Sequence, residues 1–162
     1  MGTLENLGKA FAGESQANRK YLAYAKKADE EGYPQVAKLF RAAAAAETVH
    51  AHNHLGIMGI GDTVRNLEDA INGETFEFTK MYPEFIQGAD AEGQKKAKWS
   101  FNVANKVEEI HAGLFKEALA SLPREAGDNY YVCSVCGNTV IGNPPDKCPI
   151  CGAEGKTFML IS

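Results

Sequence analysis

The chain has 162 residues, 44% of them hydrophobic, and a net charge of −4. That suits one main domain with a core plus a small appendage, and it gives no electrostatic case for nucleic acid. No apolar run approaches the roughly 20 residues needed to cross a bilayer. The opening M-G-T-L-E-N-L lacks the charged and apolar regions of a signal peptide, and Asn6 breaks the myristoylation pattern that Gly2 begins, so a cytoplasmic protein is expected.

The first predicted helix carries Leu4, Leu7, Phe11, Glu14, Asn18, Tyr21, Ala25 and Ala28 at alternating spacings of three and four, which makes one stripe. Gly32 ends it, and Pro34 suits the first turn of the next helix. The second stripe is Val36, Phe40, Ala43, Glu47, His50 and His54. Gly56, Gly59 and Gly61 predict its end, followed by a long connection over 56–73 with a short helix near 66–70. A third helix is expected from about Gly73, with an irregularity near Pro83. The fourth stripe is Ala97, Phe101, Ala104, Glu108, His111, Phe115, Ala118 and Leu122. Two short connections and one long crossover describe an all-α four-helix bundle over 1–122.

The bundle repeats itself. A-D-E-E-G at 28–32 matches A-D-A-E-G at 89–93, and a shift of 61 places Glu47 on Glu108 and His50 on His111. Further upstream G-E-S at 13–15 matches G-E-T at 73–75 with a shift of 60, so a one-residue slip falls between Glu74 and Ala89. Each half therefore offers a Glu and then Glu-x-x-His.

Glu14, Glu47, Glu74, Glu77 and Glu108 lie on apolar stripes and predict five carboxylates meeting in one interior. Buried carboxylates repel one another and are costly to desolvate. Two di- or trivalent metal ions would offset that charge, and oxygen ligands with imidazole suit iron or manganese. A Glu from each of two helices with Glu-x-x-His from the other two is the ferritin-like dimetal pattern. The repeat favours His50 over His54, because His54 falls on Phe115; His52 lies off the stripe. Glu5, Glu30, Glu31, Glu109 and Glu117 read as solvated. Tyr21 and Tyr82 are placed to pack in the core or to hydrogen-bond a ligand carboxylate. Glu77 has no counterpart in the repeat, which predicts an asymmetric site.

Residues 123–129, P-R-E-A-G-D-N, read as a polar linker. The tail, 130–162, is too short to fold on apolar burial alone. Its Y-V-C-S-V-C-G and C-P-I-C-G-A bring Cys133, Cys136, Cys148 and Cys151 in two C-x-x-C pairs. Four thiolates suit one tetrahedral zinc or iron, and spacing alone does not separate the two.

F-A-G-E-S, E-T-V-H, G-E-T-F-E, E-E-I-H, Y-V-C-x-x-C-G and C-P-x-C-G, in that order, resemble the rubrerythrins over nearly the whole chain. The resemblance implies a ferritin-like di-iron bundle followed by a rubredoxin-like Fe(Cys)4 domain, acting as a peroxidase that reduces hydrogen peroxide to water in oxidative-stress defence. It implies di-iron ligands at Glu14, Glu47, Glu74, Glu77, Glu108, His50 and His111, with Glu47 and Glu108 bridging and one iron moving between Glu77 and His50. Cys133, Cys136, Cys148 and Cys151 would hold the third iron. Electrons would come from a reductase or rubredoxin fed by NAD(P)H. A homodimer or higher homo-oligomer is implied, with one subunit's rubredoxin-like domain beside the other's di-iron site. The connection over 51–73 is short beside longer family members, which bears on helix pairing between subunits, domain swapping included. The competing expectation is a ferroxidase or iron-handling ferritin-like protein.

Overall fold

The computed structural model describes residues 2–122 and 127–161. Its elements are α1 (Thr3–Glu30), α2 (Pro34–Met58), α3 (Thr63–Phe76), a π-helical turn (Glu77–Met81), α4 (Tyr82–Ala91), α5 (Lys95–Ser121), β1 (Tyr130–Cys133), β2 (Thr139–Ile141), a 3-10 turn (Gly155–Thr157) and β3 (Phe158–Ile161). They form two compact units, Met1–Gly61 and Asp62–Ser162. The expected linker lies partly on 123–126, outside the described residues.

The first unit is the α1–α2 hairpin. Tyr33 N–H reaches the Ala28 carbonyl and Gly32 N–H the Asp29 carbonyl, the paired bonds that close a Schellman C-cap. Pro34 then opens α2. The residues buried in this hairpin are all alanines: Ala25 and Ala28 on α1, and Ala37, Ala44 and Ala51 on α2. Small side chains let the helices approach closely, and Asn18 crosses the seam to the Ala44 carbonyl at 2.7 Å and the Thr48 hydroxyl at 2.8 Å.

The second unit begins with a correction. The sequence predicts a long connection over 56–73, whereas α2 continues to Met58 and α3 starts at Thr63. Asp62 caps α3, its carboxylate accepting from Arg65 N–H at 2.9 Å. Gly56 is carried inside α2, because one glycine costs an exposed helix only about 1 kcal/mol. Every interhelical connection among the described residues is therefore short.

α3, the π turn and α4 run on without a break as one rod, and both helices pack against α5. The π turn adds one residue to the helical ladder at Glu77–Met81. That is the slip the repeat requires, and it sits inside the predicted interval. The Gly93 cap repeats that of Gly32, with Gln94 N–H on the Ala89 carbonyl.

The repeat extends to aromatic residues. Tyr21, Tyr24 and Phe40 cluster with ring centroids 5.5 to 6.4 Å apart. Their counterparts at a shift of 61, Tyr82, Phe85 and Phe101, cluster at 5.6 to 6.3 Å.

After α5 the chain forms a three-stranded antiparallel sheet in the order β2-β1-β3. Tyr131 faces Val140 on one side and Leu160 on the other. Cys133, Cys148 and Phe158 form its small core, with Tyr131, Val140 and Ile150 packed around them.

Candidate metal centres

Three donor clusters emerge from these elements. In the hairpin, Glu14 on α1 and Glu47 and His50 on α2 place their ligand atoms within 4.8 Å of one another. His50 Nδ1 lies 2.9 Å from Glu47 Oε2, fixed by their i, i+3 spacing on one helix. The His50 side chain is 53% exposed.

In the second unit, Glu74 on α3 and Glu108 and His111 on α5 make the equivalent triad, again within 4.8 Å. His111 Nδ1 is 2.9 Å from Glu108 and 3.7 Å from Glu74. Burial, then the adjacent Glu108 charge and a hydrogen bond to it, raises Glu74 to about 7, with His111 pulling the other way. Its hydrogen bond to Glu108 raises His111, against burial. Glu77 stands outside the triad at the start of the π turn; burial and Glu108 raise it. Tyr82 is raised by burial and then by Glu108, Glu77 and Glu74, which places its phenol among those acids. Tyr21 lies in the aromatic cluster of the first unit. His54 and His52 stand outside the triads.

The chemistry of these donors fits metal. Like carboxylates gathered in one place repel, and a bound cation both relieves that repulsion and displaces the shared proton.

The third cluster is Cys133, Cys136, Cys148 and Cys151, all free thiols within 4.8 Å. Metal–sulfur bonds of about 2.3 Å at tetrahedral angles separate sulfurs by about 3.8 Å. Cys133 and Cys151 lie 3.8 Å apart, Cys136 and Cys148 3.6 Å. Each loop turns back through a glycine at positive φ, Gly137 at 83° and Gly152 at 77°, a conformation a Cβ would strain. Gly137 N–H bonds the Cys133 carbonyl and Gly152 N–H the Cys148 carbonyl. Burial pushes the Cys133 thiol up, yet N–H groups of Val135 and Cys136 and the Thr157 hydroxyl outweigh it and bring it to about 6. Burial and the neighbouring sulfurs push Cys136 up. Four crowded sulfurs, one of them largely ionised near neutrality, are poised for a thiophilic metal.

Sequence reasoning missed how the cysteine domain meets α5. His111 Nε2 lies 2.9 Å from the Thr139 hydroxyl, which donates to the Gly137 carbonyl at 3.2 Å. Gly137 itself lies against Val107. Within the second unit the cysteine domain thus reaches its own chain's His111. No periodicity marks Thr139, and only the three-dimensional register of β2 reveals it.

Two family models match, rubrerythrin over residues 5–119 and the rubredoxin-like domain of rubrerythrin over 131–159. The chain is 34% identical to rubrerythrin-2 of Clostridium acetobutylicum, covering 96% of this chain and 95% of that one. It is 38% identical to nigerythrin of Nitratidesulfovibrio vulgaris, covering 96% and 85%. The solved structure of nigerythrin in its mixed-valence state aligns with a TM-score of 0.61 at 36% identity, over 99% of this chain and 87% of that one.

Proposed function

We propose a peroxidase, and the premise is that this chain belongs to the rubrerythrin family, with its ferritin-like di-iron site and rubredoxin-like four-cysteine site. The substrate is hydrogen peroxide, reduced to water in the cytoplasm, with electrons entering at the cysteines from a reductase or rubredoxin fed by NAD(P)H. Glu14, Glu47, His50, Glu74, Glu77, Glu108 and His111 hold two irons, and Cys133, Cys136, Cys148 and Cys151 hold a third. Bound iron supplies the redox chemistry, two electrons for cleavage of the O–O bond in the helical site and one-electron carriage at the cysteines.

The observation that carries this reading is the bridge from Cys136 through Gly137 and Thr139 to His111. An isolated storage site has no use for such a link. His111 uses both ring nitrogens, Nδ1 toward the carboxylates and Nε2 toward Thr139, so the hydroxyl fixes the ring's orientation and tautomer. H2O2 with two electrons and two protons gives two waters. The Tyr82 phenol, pushed up by burial and then by Glu108, Glu77 and Glu74, keeps its proton beside those acids and can pass it on.

The test is stopped flow on anaerobically reduced protein, following the visible Fe(III)–thiolate colour. Fast return of colour with stoichiometric peroxide and slow return in air-saturated buffer is the expected result. Faster return with oxygen would transfer the assignment to an oxidase or ferroxidase. Cys133→Ser should keep a single oxidative event and lose sustained turnover.

A further inference from the structure

We propose that His50 and His54 on α2 form a mononuclear site for a divalent transition-metal ion that prefers nitrogen ligands, zinc or nickel in class, beside the carboxylates of the hairpin. The ion is taken between two imidazoles. The site stands apart from the di-iron reading, which uses the Glu47 side of the His50 ring.

The chain holds four histidines, and three of them fall in H-A-H-N-H at 50–54. α2 runs unbroken from Pro34 to Met58, so all three share one helix. Positions 50 and 54 lie on one face, with Cβ atoms about 6 Å apart. Position 52 is turned to the opposite side, where His52 lines a groove with Arg19 and Leu55. Helical side chains lean toward the N-terminus, which carries the His54 ring over the turn that bears His50. This is the spacing by which one helix offers two imidazoles to one ion.

The hydrogen bonding of His50 decides which nitrogen it offers. Its Nδ1 lies 2.9 Å from Glu47 Oε2. A carboxylate only accepts, so Nδ1 carries the proton and Nε2 keeps its lone pair. Nε2 has no hydrogen-bond partner among the described residues. A histidine that gives one N–H to a carboxylate is oriented, and made more basic, for a metal at its other nitrogen. The His50 side chain is 53% exposed and His54 is half-buried, so an ion can reach both.

The repeat supplies an internal comparison. In the second unit His111 makes the same bond to Glu108, also at 2.9 Å, yet its Nε2 is taken by the Thr139 hydroxyl. Four residues further on stands Phe115, which has no ligand atom. The half without a second imidazole has its spare nitrogen covered, and the half with one leaves it open. Imidazole donors suit zinc, nickel and copper, whereas oxygen-seeking ions go to the carboxylates.

The experiment titrates zinc into full-length protein whose cysteines are already zinc-loaded and whose histidines carry 15N, and follows the ring nitrogens by NMR. Four histidines give few enough signals to assign each ring. The expected result is that His50 Nε2 and one His54 nitrogen move to metal-bound shifts with the same midpoint, while His52 stays. Glu14→Gln breaks the carboxylate cluster but keeps the Glu47–His50 bond, and should give the same paired shift. His54→Phe copies Phe115 of the repeat and should weaken zinc binding at His50 Nε2 at least about tenfold, and His52→Ala should leave it unchanged. A His54 ring that stays unmoved in both wild type and Glu14→Gln overturns the proposal. Binding at His50 Nε2 that is equally strong in His54→Phe overturns it too.

Discussion

Glu74 shows how much one side chain is shaped by its neighbours. Its folded pKa, about 7, lies above its ordinary value of 4.5, so the folded state binds the proton more tightly than the unfolded chain. Stability from this group is fully present below about pH 4.5 and is lost as pH rises toward 7. The raised His111 acts in the same direction. Protein loaded with zinc at the cysteines only should therefore lose stability as pH rises from 4.5 to 7, by about 1–2 kcal/mol with solvent screening of the site, read by denaturant titration, and Glu74→Gln should flatten that slope. Thr139 is the other decisive residue. Thr139→Val keeps the shape but removes the bond to His111 Nε2, and electron transfer between the loaded sites should slow roughly tenfold with little change in fold. The grouping of Glu14 with Glu47 and His50, and of Glu74 with Glu108 and His111, was legible because helical spacing and the repeat place them on apolar stripes. Thr139 was not, because its role depends on where a β-strand lands against a helix.

Among the elements, the π turn was legible as a counting error between two repeats, and the caps at Gly32 and Gly93 as a repeated A-D-x-E-G. The α2–α3 connection was misread. Gly56, Gly59 and Gly61 suggested a loop, and the Val64, Leu67 and Ile71 stripe of a helix whose start is set by Asp62 went unread. The repeated aromatic trio was available to the same shift and went unread. The alanine seam makes a further prediction. Ala44 is 1% exposed, and Ala44→Leu would force α1 and α2 apart. A loss of about 1–3 kcal/mol is expected, with weaker iron uptake at Glu14 and Glu47, measured by thermal unfolding and metal content. In the cysteine domain, a Cβ on Gly155 would collide with the Pro145 carbonyl oxygen. Gly155→Ala should displace that loop and bleach the thiolate colour while far-UV helicity stays near wild type.

At the scale of the molecule, composition pointed to a helical domain with a metal-held appendage, and the order of the motifs pointed to the family. Which helices share a bundle was not readable, because a periodic stripe names the face that is buried and not the chain that buries it. No helix among the described residues is long and apolar enough to cross a membrane. The all-alanine seam sets how the first hairpin opens. A pair of helices whose fully buried residues are all alanines gathers little apolar area between them, so the α1–α2 contact is among the easiest in the chain to loosen. Backbone amides along α1 and α2 should therefore exchange with solvent faster than those in the middle of α5, where Val103 and Val107 are buried.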